Sequence, residues 1–524
     1  MKKITYLLAY MLILSLPLAA QGEVEALRFS REDLYGTARA MSMGGAFGAL
    51  GGDQTGVSIN PAGIAVYRSS EVVGTLNLSS EGSSVGNNDA NKSRFDLDNL
   101  GFVGYFPLRS DVVPLINFGF SFSKLKSFDK NIDAVGTPAS SLIDYIADRS
   151  AGVDPSSLEF SDNPLDPDPF EYQPWLSVLG FNSYLIDDHY DGVNNEYYYA
   201  PLNTNNELYG NEIKTRERGY IDNYDFTVGT TINNVLNLGL SLSIKDISYS
   251  VTSDYWEDFD NGNYRLTNWL TTSGAGVSAK FGAIYRPINE FRLGLAYHTP
   301  TYYALSETFQ AELEDDMGAY VTDPNYEPET TYSKRLTNDY DLRTPGKFVV
   351  SAATVLGGRF IASMDYELVD YSNMKLMVPS NSIDANNWYE IDNEYISTDF
   401  KQTSTIKLGT EYRFSPKFYG RLGYAWMQNP YDVDFKDAGN AAVVGSNTVH
   451  RIEGDANYFT GGVGYRFNQN FFLDFALVYK TQTDELYPFP NLYSASGGAP
   501  VIDANPFELK NTSFRGLLTL GYKF

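Results

Sequence analysis

The chain has 524 residues, enough for two or three ordinary domains or one large β architecture. It has no cysteine, which excludes disulfide scaffolds, thiol catalysis and cysteine metal sites, and its three histidines (His189, His298 and His450) are too far apart in sequence to favour a histidine zinc site. Its 65 acidic residues outnumber its 39 basic ones, and the net charge of −26 argues against a nucleic-acid partner, which needs a basic face.

The first twenty residues have the pattern of a secretory signal peptide. Lys2 and Lys3 precede an apolar run that is interrupted by Pro17 and closes on the small residues before Gln21. We place cleavage near Ala20, so residues 1–20 are the predicted signal peptide. An uncleaved membrane helix is the alternative, but the run is short, and no later stretch offers about 18 consecutive apolar residues.

A glycine- and alanine-rich segment follows, "ARAMSMGGAFGALGGDQTGVSINPAGIAVYRSSE", from Ala38 to Glu71. Its side chains are too small and apolar for an ordinary surface loop, and it lacks helix or strand periodicity. Regular alternation begins only after Asn60-Pro61-Ala62-Gly63.

From there the chain alternates with a period of two, in paired segments joined by short turns. In "FFLDFALVYK", Phe471, Leu473 and Phe475 share one face, whereas Asp474 and Lys480 share the other. Turns such as Asn468-Gln469-Asn470 favour hairpins. Fourteen strands are predicted, at about 70–82, 95–106, 114–127, 219–231, 235–251, 271–287, 290–304, 345–356, 359–371, 402–414, 417–428, 456–467, 471–482 and 513–524.

The connections differ in length in a regular way. Long polar stretches lie at roughly 128–218, 252–270, 305–344, 372–401, 429–455 and 483–512, and they alternate with short turns. This segregation is typical of outer-membrane barrels, whose periplasmic turns are short and extracellular loops long. The aromatic content of 15% suits interfacial belts, and the chain ends on Phe524 within a strand. The sequence therefore predicts an all-β, antiparallel transmembrane barrel of about 14 strands, multi-pass in the outer membrane of a Gram-negative cell and in contact with its lipid.

A barrel of this size is too wide for its own side chains to fill. A small, glycine-rich segment can fold compactly in such a lumen and lets backbones approach closely. We therefore predict that residues 21–69 form an N-terminal plug, or hatch, and that residues 70–524 form the barrel, with Pro61 fixing one backbone angle where the hatch turns toward the wall.

The stretch "GTARAMSMGGAFGALGGDQTGVSINPAGIA" resembles the hatch signature of the long-chain fatty-acid transporter (FadL-type) family of outer-membrane transport proteins. The resemblance extends to the strand count, the terminal Phe524 and the hairpin "GAGVSAKFGAIYRPINEFRLGLAYHTP". The hatch style and the long, acidic, Tyr-rich loops look most like members from the Bacteroidetes. Asn60, Pro61 and Ala62 match the family's Asn-Pro-Ala motif.

The resemblance implies passive, diffusion-driven uptake of small hydrophobic molecules such as long-chain fatty acids, with no cofactor and no catalysis. In that family, ligands bind among the extracellular loops, pass to a pocket beside the N-terminal segment and leave sideways beside a kinked third strand. Here the third strand, "PLINFGFSFSKLKSF", has no internal proline, and only Gly119 is suited to ease a bend. The 128–218 loop is also longer than the family pattern.

A different class of function fits the same fold. The chain is alternatively a non-transporting accessory barrel of a larger secretion or assembly complex, with protein partners held through its extracellular loops. A general porin fits poorly, because the hatch would block it. An apolar pocket beside the hatch favours transport, and a filled lumen under a large loop surface favours the accessory role.

Other motifs carry little chemistry. "GGAFGALGG" is followed by Asp53 rather than the Lys-Ser/Thr of a phosphate loop. The acidic cluster of Asp154, Asp162, Asp166 and Asp168 is better explained as a solvated loop than as a calcium site, and "DFDNGN" at 258–263 has Trp269 where a calcium loop needs Glu. No spacing singles out a nucleophile for His298. The sequence therefore predicts no catalytic residue and no metal site.

Four cations are candidates to contact a ligand head group in the lumen, namely Lys280, Arg286, Arg292 and Lys407. The plainer alternative is an ion-pair network with the inward acids Asp365, Glu367 and Glu411.

Overall fold

The computed structural model describes residues 22–137, 139–161, 166–190, 196–199, 208–260, 262–316, 330–379, 388–432, 435, 445–493 and 499–524. The predicted signal peptide lies outside these ranges, as does Asp162 of the acidic cluster. Fourteen strands form the barrel: β1 (Glu71–Val85), β2 (Asn88–Pro107), β3 (Leu115–Ser127), β4 (Leu208–Ile232), β5 (Leu236–Phe259), β6 (Gly262–Ile288), β7 (Phe291–His298), β8 (Lys347–Leu356), β9 (Phe360–Asp370), β10 (Gln402–Arg413), β11 (Phe418–Met427), β12 (Ala456–Arg466), β13 (Phe471–Tyr487) and β14 (Phe507–Lys523).

Each strand pairs antiparallel with its neighbour in this order, and β14 pairs with β1 from Glu71 opposite Lys523 to Ser84 opposite Lys510. The sheet is thus closed, and it has no edge at which backbone groups would go unpaired in lipid. The predicted fold and the strand count of fourteen are confirmed.

The two faces of the wall differ as the alternation predicts. On β13, Phe475, Leu477 and Tyr479 are exposed on the outer surface, whereas Asp474 is buried in the lumen. Lipid can cover such an outer apolar band, while polar side chains need hydrogen-bonding partners inside. No helix among the described residues is long and apolar enough to cross a membrane.

All six predicted long loops are partly strand, and 128–218 contains Lys130–Gly136 and the first part of β4. Residues 252–270 were predicted as a loop, but β5 and β6 continue through them and pair up to Phe259 opposite Gly262. Residues 305–344 contain most of the strand Tyr302–Asp316 and all of Leu336–Arg343, and 483–512 contains the ends of β13 and β14. The outer faces of these extensions are polar beyond the apolar band, so the hairpins project above the membrane.

The remaining elements are short. The helices are α1 (Glu23–Ser30), α2 (Ala38–Met41), α3 (Gln54–Ile59), α4 (Leu142–Ser150), α5 (Trp175–Asn182) and α6 (Glu390–Asp399), with 3₁₀ turns at Pro61–Val66, Pro155–Ser157, Pro169–Glu171 and Tyr371–Asn373. The further strands are Lys130–Gly136, Asp187–Tyr190, Glu196–Tyr199, Tyr302–Asp316, Thr330–Tyr332, Leu336–Arg343, Lys375–Met377, His450–Ile452, Leu492–Tyr493 and Pro500–Ile502.

Above the membrane, α4 and α5 pack over the barrel mouth in one large apolar cluster with the extended hairpins, which we call the cap. Buried Trp175 contacts Phe309 with ring centroids 4.6 Å apart. In the acidic segment beside it, Asp154 and Asp168 accept backbone N–H groups at the starts of two 3₁₀ turns. The described residues contain no group of three His, Asp or Glu side chains arranged to hold a metal ion.

Candidate functional site in the barrel lumen

Residues 22–69, which we call the hatch segment, lie inside the barrel against inward-facing wall residues. Short helices with side-chain caps give the segment its shape. Thr37 caps α2, and its hydroxyl also donates to Asp53 at 2.8 Å, while Asp53 caps α3 by accepting the Thr55 N–H. Each cap satisfies an N–H group that a helix start would otherwise leave without a partner.

The Asn60-Pro61-Ala62 motif fixes the hatch segment to the wall. The Asn60 side chain donates to the Gly48 carbonyl at 2.8 Å and to the wall carbonyl of Ala283 at 3.2 Å, and it accepts the Ala62 N–H at 3.1 Å. Asn60 is only 1% exposed. One amide thus joins the hatch to itself and to β6, which explains why an asparagine suits this position.

A second anchor is Asp365 on β9. One of its carboxylate oxygens accepts the N–H groups of both Phe47 and Gly48 at 2.9 Å. Asp365 is fully buried. A carboxylate that accepts two backbone N–H groups forms charge-assisted hydrogen bonds, which are stronger than neutral ones.

Glycines at inward positions of the wall leave room for the hatch backbone to pack closely against the strands. A Cβ atom at Gly423 would lie 2.1 Å from the Gly44 nitrogen, and one at Gly282 would lie 2.0 Å from the Asn60 side-chain oxygen. Gly239, Gly294 and Gly409 have similar contacts with hatch backbone. Sequence reasoning missed this belt, although its signal is present: each glycine interrupts an apolar strand on the inward face, as in "RLGYAW".

Acidic residues of the hatch are clamped by lysines of the wall. Glu32 is paired with Lys245 at 2.8 Å and with Lys347 at 2.6 Å, and Asp33 is paired with Lys480 at 2.9 Å. Burial alone would raise the pKa of Glu32, but the two lysines outweigh it and hold that pKa well below its ordinary value. The hatch is therefore held by ion pairs with several strands at once.

The four cations predicted to contact a ligand lie in different surroundings. Lys280 is paired with Asp225 at 2.8 Å and Lys407 with Glu367, so both are committed to neighbouring acids. Arg292 donates to the hatch carbonyl of Leu50 at 2.6 Å, and Arg286 donates to the Asn234 carbonyl at the short-turn end.

The three inward acids differ in whether their partners belong to the wall or to the hatch. Glu367 binds a wall lysine, as the ion-pair alternative supposes. Glu411 binds Arg421 of the wall and Arg39 of the hatch, whereas Asp365 accepts hatch N–H groups.

Two of the cavities around the hatch lie on its outer side, toward the cap. One has a volume of about 120 Å³ and is lined by α1, Tyr35 and the outer ends of β3, β13 and β14. The other, of about 130 Å³, lies beside Glu32, His298 and the Lys124 end of β3. Both combine charged with apolar walls, and both reach the same part of the barrel wall.

That part of the wall contains a seam between β2 and β3. Their ladder runs from Pro107 opposite Leu115 only to Asn99 opposite Ser123. Beyond it, residues 88–97 pair with β1, while β3 pairs with β4 through a register shift between Lys124 and Lys126. Within the described chain, side chains rather than a backbone ladder bridge the two strands here.

The bridging groups are charged. Arg94 is paired with Asp129 at 3.0 Å, and Lys124 reaches Asp96 at 3.7 Å. On the outer surface Phe95, which is 67% exposed, faces the lipid beside the seam. The third strand is thus irregular without a proline, through a register shift rather than the kink that the family resemblance implies.

The cap and the hatch meet at α1. Phe29 packs edge to face on Phe128 and on Tyr249, with centroid distances of 6.1 and 5.8 Å. Higher up, on the part of β5 above the membrane, buried Glu257 accepts the Leu142 N–H at 2.9 Å and the Tyr255 hydroxyl at 2.5 Å, which anchors α4. Burial raises the pKa of Glu257 to about 7.

The fold and lumen define an outer-membrane β-barrel with an internal N-terminal segment. Residues 231–487 match the sequence model of the family described as outer membrane protein transport protein (OMPP1/FadL/TodX). This match, which covers just under half of the chain, confirms the predicted family resemblance, and the outer-membrane location is confirmed with it.

Several solved structures are similar to this chain. A Pseudomonas aeruginosa FadL homologue aligns over 94% of this chain and 99% of its own, with a TM-score of 0.52 at 13% identity, which shows a shared fold. The toluene transporters TbuX of Ralstonia pickettii and TodX of P. putida align over 94% of this chain and 99% of theirs, with TM-scores of 0.47 and 0.48 at 14% and 11% identity. No curated protein matches the chain by sequence.

Proposed function

We propose that this protein is a passive transporter that carries small hydrophobic molecules, including long-chain fatty acids, across the outer membrane. The observation that carries the proposal is the seam between β2 and β3, which adjoins both lumen cavities. Lys124 lines one cavity and Asp129 the other, and both belong to the charged bridge across the seam.

The contents of the lumen support a sideways route. Below the cavities the hatch is anchored by Asn60 and Asp365 and packed against wall glycines. An apolar molecule passing there would have to displace buried ion pairs, which is costly. Passage through the seam requires only that the side chains of Arg94, Asp96, Lys124 and Asp129 separate, and lipid lies directly outside. No energy source or catalytic group is needed for such a path.

Because the chain has no cysteine, the seam can be locked chemically. In the variant Asp96→Cys/Lys124→Cys, a cleavable bismaleimide would join the two strands. The matched control, Asn99→Cys/Ser123→Cys, places the same cross-link at the last rung of the existing ladder. Uptake of labelled oleate is measured in a Gram-negative host that lacks its own fatty-acid transporter.

We expect the unmodified chain to confer uptake, the seam cross-link to abolish it, cleavage of the cross-link to restore it, and the control to be unaffected. Uptake that persists through the locked seam would refute the sideways route. Uptake of toluene without oleate would restrict the substrates to smaller hydrophobes. A chain that confers no uptake and is extracted from its membrane with stoichiometric protein partners would favour the accessory-barrel role.

A further inference from the structure

The short-turn end of the barrel carries a different charge from the rest of the chain. Nine basic side chains lie in these turns or within three residues of the strand ends beside them: Arg68, Arg109, Arg286, Arg292, Arg359, Arg413, Lys417, Arg466 and Lys523. The same stretches contain four acidic side chains, Glu71, Asp111, Glu290 and Glu411. The whole chain has 39 basic and 65 acidic residues, so this end is a basic face on an acidic protein. Short turns of outer-membrane barrels face the periplasm.

Three neighbouring turns make the positive charge continuous. Arg359 lies in the β8–β9 turn and Arg466 precedes the β12–β13 turn, while Arg413 and Lys417 border the turn between them. The Arg413 N–H donates to the Arg359 carbonyl at 2.8 Å, and the Arg466 N–H donates to the Lys417 carbonyl at 2.9 Å. These four residues, which we call the basic ledge, therefore adjoin one another through the backbone. None of the three turns contains an acidic residue.

The basic ledge has no acidic partner in the described chain. No member is within ion-pair distance of a described acid, and two inward acids near the same turns, Glu411 and Asp474, are paired with Arg421 instead, at 2.6 and 2.5 Å. Every member except Arg413 is exposed. The ledge thus presents positive charge that the protein itself leaves without a counterion.

Two of the ledge cations point across the barrel mouth rather than toward lipid. Their guanidinium groups lie over the ring of Tyr419, at 5.9 Å for Arg413 and 5.1 Å for Arg466. Tyr419 is an inward residue that is only 7% exposed, and Arg421 of the lumen lies over the same ring. The lipid side of these strands carries aromatic side chains such as Phe414 instead. A lipid phosphate is therefore on the wrong side of the wall for these two arginines.

We propose that the basic ledge is a docking surface for an acidic segment of a soluble periplasmic protein. The partner is identified by its charge, since a run of Asp or Glu side chains complements the ledge and reaches it from water. Neighbouring strands are about 4.8 Å apart, so a ledge that extends from β9 to β12 spans about 14 Å. About four or five extended residues cover that distance. The inference goes beyond transport and does not depend on the exit route.

The turns that carry the ledge have fixed shapes. The Ser415 hydroxyl accepts the backbone N–H groups of Lys417 and Phe418, at 3.3 and 3.1 Å. In the β12–β13 turn, the side-chain oxygen of Asn468 accepts two backbone N–H groups, at 2.9 and 2.8 Å. A surface that is already ordered loses less conformational entropy when a partner binds.

The test uses a defined probe, the short peptide Gly-Asp-Glu-Asp-Glu-Asp-Gly with an uncharged dye, and its amide counterpart Gly-Asn-Gln-Asn-Gln-Asn-Gly. Binding to the full chain in phosphatidylcholine nanodiscs is measured by fluorescence anisotropy at low and at high salt. The ledge variant is Arg359→Gln/Lys417→Gln/Arg466→Gln. The matched control removes the same number of exposed charges above the membrane, in Lys334→Gln/Lys375→Gln/Lys510→Gln.

We expect the native chain to bind the acidic peptide but not its amide counterpart, and this binding to weaken as salt rises. The ledge variant should bind about tenfold more weakly, because several exposed ion pairs of modest strength are lost together. The control variant should bind as the native chain does. Heat-modifiable gel mobility reports whether each variant is folded, and Lys417→Glu, a single exposed change, replaces the ledge variant if that does not fold.

Three results would overturn the proposal. A native chain that binds neither peptide has no such docking surface. An equal loss in the ledge and control variants would show that net charge, rather than the ledge, governs binding. The third result concerns lipid and is measured by native mass spectrometry from mixed nanodiscs. If the native chain binds no peptide and the ledge variant alone loses bound phosphatidylglycerol, the ledge serves lipid head groups instead.

Discussion

The anchor at Asp365 allows a quantitative prediction about how firmly the hatch is held. Replacing Asp365 with alanine removes the acceptor of two buried N–H groups, those of Phe47 and Gly48. Leaving a buried donor without a partner costs about 1–3 kcal/mol, so the hatch should be loosened by roughly 2–6 kcal/mol. If the substitution costs about 3 kcal/mol, the fraction of molecules with a displaced hatch rises on the order of 100-fold.

The assay uses the absence of native cysteine. A single cysteine at Ser42, which is fully buried in the hatch, reacts with a water-soluble maleimide only when the hatch moves. We expect Asp365→Ala to raise the labelling rate of this cysteine by the same factor of about 100, and to produce current bursts in planar bilayers. Asp365→Asn, which keeps one acceptor oxygen, should give an intermediate rate.

The matched control is Ser363→Ala. Ser363 is buried on the same strand and the same face, but among the described residues its hydroxyl donates only to the wall carbonyl of Ala352, at 3.5 Å. In the Ser363→Ala variant, the cysteine at position 42 should be labelled at the same rate as in the otherwise native chain. A rate for Asp365→Ala within twofold of the native one would show that the carboxylate does not restrain the hatch, and the reasoning from its two hydrogen bonds would be wrong.

Three further predictions concern the hatch and the cap. Asn60→Ala should loosen the hatch by about 1–2 kcal/mol, seen as faster maleimide labelling, and native-rate labelling would contradict it. Gly423→Val should prevent Gly44 from seating, so that ions leak through bilayer-reconstituted protein, whereas a tight barrel would contradict the close packing. The raised pKa of Glu257 means that the folded cap favours the protonated acid. The stability of the cap should therefore be constant below the ordinary carboxyl pKa and should fall as the pH rises through about 7. The total loss should be about 3 kcal/mol. Glu257→Gln should flatten that dependence in amide exchange of Leu142–Ser150, and a pH profile unchanged by the substitution would rule out Glu257 as its source.

The barrel was predictable from sequence because its alternation is imposed by the solvent on each side. Lipid requires apolar residues at every second position, as in Phe514 to Tyr522. This pattern indicates both that the segment is a strand and which of its side chains point outward. Above the membrane that requirement disappears. The extensions of β5 and β6 alternate around polar outer positions such as Thr252 and Arg265, so the sequence predicts a loop there.

The lumen was harder to predict because pairing of charges depends on neighbours that are distant in sequence. Lys280 and Arg515 are both inward cations on strands, yet one is matched by Asp225 and the other by no acid of the described chain. Nothing local distinguishes them. The hatch motif was recognisable from its small residues, whereas its anchor, Asp365, lies more than three hundred residues further along the chain.

The polarity of the lumen bears on how a hydrophobic molecule can cross the wall at all. The hatch is fitted to the wall in two ways: wall glycines match its backbone, and ion pairs such as those of Glu32 match its charges. Buried ion pairs contribute little net stability but penalise any arrangement that separates them. A hatch held in this way resists an apolar guest, because the guest would leave the separated charges without partners. In the proposed function, transport that keeps the hatch in place therefore bypasses it, through the seam beside Arg94 and Lys124 and directly into lipid.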